Sequence, residues 1–454
     1  MIRRLLPPAL AAALALVPEV RADEGAPGDP AASFVLRGVR LETGDGTVVE
    51  DAVVVVRGGK VEAAGPAATV KPPAGLAVVE GNGGTAMPGF VLAAARLGLP
   101  WAQGGTERPT PSETVLEELN PFHPLLRLAA REGVAAAGLV PGPGAPGGEG
   151  VAVRPAAAGT AEFVRTAGRV LRVDVDPSTG WARGLAGALD AAKKEIEGED
   201  RSEKEQAAFR AASAEYEAKK AALEKQFREA SEKFEKEKAA AEKEGKPAPK
   251  SPERPDPGKP PAEPKPFKPE VRTAAVRDAL RKKIPVVVFA GSAADADRAL
   301  EALAPYRLRL AFRASGDAWR TAPRIAGAGA AVILEPQVQT VPGTLDRVNP
   351  AAVFEAAGCP VAFVPREESR RGLDSLLADA ALLVRSGLPR KAAVRGLALE
   401  GAKVLGLDGE TGTVAPGRSA DLLLLDGDPF EATTRLRGAW SAGVRVFPAP
   451  GERP

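Results

Sequence analysis

Two residues that usually carry chemistry occur once each, and their scarcity decides much. The chain of 454 residues holds a single histidine, His123, and a single cysteine, Cys359. Zinc, iron and nickel centres draw mainly on imidazole and thiolate donors, so a multi-histidine metal site is excluded. One cysteine also excludes an internal disulfide or a paired thiol redox motif. His123 lies between Phe122 and Pro124 at the start of a helical pattern and reads as a cap or surface residue. Cys359 precedes Pro360-Val361 and reads as buried apolar filler. No named spacing motif assembles a Ser/His/Asp set around His123. The Gly/Pro-rich run Pro141 to Gly150 is a loop, because prolines stand where a phosphate cradle needs free backbone N–H groups.

The elements that must position any site follow from patterning. Phe34 to Leu41, the β-branched run Ala52 to Val56 and the segments Val61 to Gly65 and Ala77 to Glu80 read as short strands separated by glycine turns. From Pro88 onward apolar strands alternate with Ala/Leu/Arg-rich helical stretches, which argues for parallel βα units. The expected strands are Val134 to Val140, Val170 to Val175, Ile284 to Ala290, Leu308 to Phe312, Ala330 to Leu334 and Pro360 to Val364. Residues 191–246 are dense in Lys, Glu and Ala with a thin apolar stripe at Phe209, Tyr216, Leu223, Phe227 and Phe234. That spacing keeps the stripe on one face of a long helix, too narrow for a core and wide enough to touch one partner, the barrel or a second copy. Residues 247–270 are a charged, proline-rich tether with an extended polyproline preference.

Lys+Arg 61 against Asp+Glu 59 leaves a net charge of +2, so no global field favours nucleic acid, and no nucleic-acid partner is expected. Met1-Ile2-Arg3-Arg4 followed by Leu5 to Val17 and a small-residue site at Val20-Arg21-Ala22 reads as a cleavable export signal, residues 1–22, with a flexible leader at 23–33. The mature chain is then periplasmic or secreted, with no membrane span after signal removal.

Several stretches resemble the amidohydrolase superfamily, in particular its imidazolonepropionase-like members. They are the opening strands through Met87-Pro88-Gly89-Phe90, the segment Gly147 to Val153, Ile284 to Ala290 with Ala293-Ala294-Asp295, Leu308 to Trp319, and above all Pro416 to Leu422 with Asp426 to Phe430. The resemblance implies a distorted (β/α)8 TIM-type barrel (87–190 and 271–408) and a composite β-sandwich built from both chain ends (34–86 and 409–447); the long charged helical insertion and a short tail at 448–454 lie outside it. It also implies metal-assisted hydrolysis of carbon–nitrogen bonds with zinc or another divalent ion. Carried over position by position, the expected ligands are missing. The first-strand His-x-His falls on Ala94 and Arg96, the preceding acidic position on Leu92, and the fifth-strand histidine on Phe289. No lysine occurs between Lys71 and Lys193 to supply the fourth-strand lysine, and the eighth-strand aspartate falls near Pro365-Arg366.

Weak catalytic candidates remain in Asp317, Glu367 and Glu368. Arg96 and Arg366 would repel a cation at the mouth and could pair with these carboxylates, filling a vacated pocket, or could form an anion or carboxylate pocket. The reading is therefore an amidohydrolase-like protein, catalytically degenerate, with a binding or structural role in the cell envelope and no cofactor of its own. A hydrolase with an atypical carboxylate site and a scaffold acting through the helical arm stay as alternatives. The expected partners are a small-molecule ligand of unknown identity and a second copy as a homo-oligomer.

Overall fold

The computed structural model describes residues 32–99, 114–143, 147–157, 160–244, 247, 250–341 and 343–448. Of the signal and leader expected at residues 1–33, residues 1–31 lie outside the described residues. Eighteen strands are seen among these residues. An N-terminal group comprises β1 (Phe34–Glu42), β2 (Val48–Arg57), β3 (Lys60–Pro66), β4 (Ala77–Glu80) and β5 (Thr85–Pro88). The barrel group is β6 (Phe90–Ala95), β7 (Val134–Leu139), β8 (Glu149–Val153), β9 (Val164–Asp174), β10 (Val286–Ala290), β11 (Leu310–Ala314) and β12 (Ala331–Leu334). A two-stranded ribbon, β13 (Gln339–Thr340) and β14 (Arg347–Val348), precedes the last barrel strand β15 (Val361–Phe363). The C-terminal strands are β16 (Leu422–Leu425), β17 (Leu436–Ser441) and β18 (Val444–Phe447). The helices are α1 (Pro124–Arg131), α2 (Trp181–Glu244), α3 (Ala274–Leu280), α4 (Ala293–Leu303), α5 (Ala322–Gly327), α6 (Pro350–Ala356), α7 (Arg370–Arg385), α8 (Arg390–Leu397) and α9 (Leu399–Leu405).

Both chain ends build one sheet. Its order runs β18-β17-β16-β5-β1-β2-β3, with β4 also on β1. The join is β16 against β5, where Leu422 pairs with Pro88 and Leu425 with Thr85. Leu36, Leu41, Val54, Val56, Leu422 and Trp440 form its buried core. Phe34 and Trp440 stack with centroids 5.4 Å apart. Asp421 fastens the closing turn: its carboxylate accepts the Ala442 N–H at 2.8 Å and the Thr411 hydroxyl at 2.8 Å.

Gly89 hands the chain from this sheet to the barrel. A Cβ there would lie 2.9 Å from the Ala135 Cβ and 3.1 Å from the Gly133 oxygen, so only glycine lets β6 enter so close to β7. The barrel order is β15-β12-β11-β10-β9-β8-β7-β6, with β15 lying beside β6 in a nearly closed ring. Its strands are almost wholly buried, as β6 and β7 are throughout, which is why their sequences are continuous apolar runs rather than alternating ones. One departure from the parallel expectation is β8, which runs antiparallel to both β7 and β9. Glu149 and Gly150, the end of the run read as a loop, thus belong to a strand, recognisable only once its partners are in place.

Residues 187–277 form a separate compact unit. Its helix α2 begins at Trp181, ten residues earlier than the composition shift suggests. The apolar stripe has a partner inside this unit: the proline-rich segment returns along the helix. Phe267 N–H donates to the Ser202 hydroxyl at 3.3 Å, Tyr216 OH donates to the Gly258 carbonyl at 3.3 Å, and Arg254 approaches Glu224 at 3.8 Å. Leu223 and Phe227 face Pro255 and Pro257 across a shared cleft. From Gly198 to Glu224 the helix rises about 39 Å at 1.5 Å per residue. From Phe267 back to Arg254 an extended strap would cover about 40 Å at the 3.1 Å per residue of polyproline conformation, from which Gly258, at φ 92°, departs. The two lengths agree, and Pro252, Pro255, Pro257, Pro261 and Pro264 are the partly covered residues of the strap; four of these five are spaced by three or six, as one polyproline face requires, and Pro257 is the exception.

Candidate functional site

Past the C-terminal ends of the barrel strands lies a cavity of about 530 Å³. The first strand, β6, delivers Ala94 and, just beyond its end, Arg96. β9, the fourth strand, delivers Arg172; β10 delivers Phe289; β11 delivers Arg313. Glu335 follows β12, and Pro365, Arg366, Glu367, Glu368 and Ser369 follow β15. Gly98, Leu99, His123, Leu125 and Val140 complete the wall.

Six residues singled out from the sequence, Ala94, Arg96, Phe289, Arg366, Glu367 and Glu368, therefore face one space. Asp317 is not among the lining residues. It sits after β11, accepts the Ala293 N–H at the start of α4 at 2.9 Å and lies 3.6 Å from Arg320. Sequence reasoning missed Arg172, Arg313 and Glu335. The signal for the two arginines was present: each is a charge flanked by apolar strand residues, Val170-Leu171-Arg172-Val173 and Ala311-Phe312-Arg313-Ala314. A charge tolerated in such a strand must find a partner or a cavity.

The partners are specific. Arg172 grips Asp174 through two nitrogens at 2.8 Å each and donates to the Pro141 carbonyl at 2.6 Å, while its guanidinium carbon lies 3.8 Å from the Phe289 ring centre. Arg313 meets Glu335 at 2.6 Å. Glu368 accepts the backbone N–H of Arg96 at 2.6 Å, and the Arg96 guanidinium donates to the Val140 carbonyl at 3.3 Å. Glu367 accepts the Ser369 hydroxyl at 3.2 Å. His123 is the N-cap of α1, its Nδ1 accepting the Leu125 N–H at 3.2 Å. That leaves Nε2 to carry the proton of the neutral ring.

Burial sets the electrostatics. It holds the Arg96 guanidinium below its ordinary pKa, and the neighbouring Arg172 charge adds to the effect. Burial also pushes the Glu368 carboxyl above the usual carboxylate range, outweighing the Arg96 N–H and the charges of Arg96 and Arg313, which favour ionisation.

One expectation needs correction here. The cofactor reading was none, set against the zinc or other divalent ion that the resemblance implies, and it is this implied ion that the residues do not fit. Among the described residues no group of three or more His, Cys, Asp or Glu is placed to hold a metal ion. The strand ends that face the cavity carry Ala94, Phe289 and guanidinium groups instead, which donate hydrogen bonds and repel cations.

No family model matches the sequence, and no curated protein matches it. Solved structures do. The chain is similar to an amidohydrolase from Thermotoga maritima MSB8 with 21% identity, over 91% of this chain and 99% of that one, at a TM-score of 0.65. A prolidase complexed with N-methylphosphonate-L-proline aligns with 13% identity over 91% of this chain and 99% of that one, at a TM-score of 0.50. The chain has the amidohydrolase fold, a distorted barrel with a sheet assembled from both chain ends.

Proposed function

We propose that this chain is an amidohydrolase-superfamily relative whose barrel mouth serves ligand binding in the cell envelope and no longer performs metal-assisted hydrolysis. The observation that carries the reading is the convergence of Ala94, Arg96, Phe289 and Arg366 on one cavity, at the strand ends where the superfamily's ligands are expected. The cavity itself is retained at a volume in the usual range for small-molecule sites. Arg172 and Arg313 are held in ion pairs with Asp174 and Glu335, and the wall combines guanidinium groups with apolar side chains. The competing reading, a hydrolase working through Asp317, Glu367 and Glu368, is weakened because Asp317 is engaged at α4 away from that wall.

A thermal-shift screen of small metabolites against the full mature chain tests the binding role. Stabilising compounds are expected to lose their effect when Ala94→Leu narrows the cavity. Hits that stabilise both proteins equally would place the ligand elsewhere and overturn the reading.

The envelope assignment rests on the export pattern of residues 1–22, and no helix of the described residues is long and apolar enough to cross a membrane. N-terminal sequencing of the protein from fractionated cells is expected to start near Asp23. An intact Met1 in the cytoplasmic fraction would contradict it.

A further inference from the structure

We infer that the mouth cavity takes a small organic monocarboxylate, its charge held by Arg313 and Arg366 and its apolar body lying against Phe289 and the aliphatic wall. This deepens the proposed function and rests on reading the mouth as a ligand site.

The arginines of the cavity differ in what they have left to offer. Arg172 is fully engaged, with two nitrogens on Asp174 and the third on the Pro141 carbonyl. It holds the Phe289 ring in place rather than meeting a ligand. Arg313 contacts Glu335 through a single nitrogen at 2.6 Å, so the rest of its fork is available. Arg366 is exposed at the rim, and no hydrogen bond or ion pair joins it to another described residue.

The pairing points to a single carboxylate. Arg172 is matched by Asp174 and Arg313 by Glu335, which leaves Arg366 as a lining guanidinium with no described protein partner. One carboxylate at the rim would supply that partner and share the open side of the Arg313 fork. Wall chemistry fixes the rest of the molecule: Ala94, Leu99, Leu125, Val140, Phe289 and Pro365 offer nothing to a wholly polar anion such as phosphate and would leave its outer oxygens without donors. Glu335 is then a built-in competitor, because its carboxylate occupies the Arg313 fork that the ligand would share.

Calorimetric titration of the full mature chain with benzoate, phenylacetate and hexanoate tests this, with the matching primary amides and inorganic phosphate as controls. The acids are expected to bind at least about tenfold more tightly than their amides, a ratio typical of one charge-assisted contact. Arg366→Gln is expected to weaken the acids about tenfold and leave the amides unchanged. Its exposure and lack of protein partners make it safe for folding. Glu335→Gln is expected to tighten the acids several-fold, which a merely structural ion pair would not do. Amides equal to acids, phosphate stronger than both, no binding by any of the acids, or a weakening in Glu335→Gln would each overturn the carboxylate assignment. An uncharged compound from the metabolite screen that is lost in Ala94→Leu would do the same while leaving the ligand site standing, so the two failures are distinct.

Discussion

Glu368 is the residue whose behaviour is most easily separated from its surroundings. Its folded pKa is raised by burial, so folding disfavours its ionised form. The stability it contributes is full below the unfolded carboxyl pKa of about 4.3 and is lost as pH rises through the raised folded value. Glu368→Gln keeps an oxygen for the Arg96 N–H and removes the buried charge. The variant is expected to melt higher than the parent at neutral pH, with the gap closing as pH falls below about 4, in thermal melts across pH. A parent that is more stable at neutral pH would contradict this. At this scale six residues of the site were legible in the sequence and three were not. Ala94, Arg96, Phe289 and the Arg366-Glu367-Glu368 run were found because flanking turns fixed their positions along the chain. Arg172, Arg313 and Glu335 were not, because pairing across strands that are distant in sequence decides which charges share a cavity. Asp317 shows the converse: it stood near the right place in sequence, and the start of α4 is what it serves.

The element that gained most from the structure is the arm. Its helical stripe and polyproline tether were both legible from spacing and composition. What composition could not show is that they belong to each other, since the match depends on comparing 1.5 Å and 3.1 Å rises over the same span. Gly198 records the fit. A Cβ at that position would stand 2.6 Å from the Phe267 ring, which explains a glycine in a helix interior at a cost of about 1 kcal/mol. Gly198→Ala should therefore raise intrinsic helicity and yet loosen the strap, seen as faster proteolytic cleavage within 251–267. Unchanged or slower cleavage would argue that Phe267 does not anchor it. Because the strap covers the stripe, replacing residues 251–266 with a flexible linker of equal length is expected to expose Tyr216, Leu223 and Phe227 and to drive association in light scattering. An arm-dependent dimer in the intact chain, abolished by removing residues 195–268, would instead support self-association as the arm's native role.

For the molecule as a whole, the Pro-Gly-Phe turn and the closing Pro416 to Phe430 segment were enough to read the architecture, because both are local devices with fixed backbone demands. The antiparallel β8 was not legible: its direction depends on neighbours on both sides. The join between chain ends is structural as well as topological. Leu423 in β16 is buried and packs where a Cβ on Gly133 would intrude, so Leu423→Ala is expected to lower unfolding free energy by about 2–5 kcal/mol in urea titration. A loss under ~1 kcal/mol would mean that the C-terminal strands are peripheral to the fold. The central claim is that this barrel has kept its mouth and given up its hydrolysis, and one measurement addresses it directly. The intact mature chain is assayed against amides, cyclic amides and dipeptides, with and without added Mn²⁺ or Zn²⁺. No turnover above the uncatalysed rate is expected in either condition. Metal-dependent turnover that disappears in Glu368→Gln would contradict the claim and return the chain to the enzymes whose fold it shares.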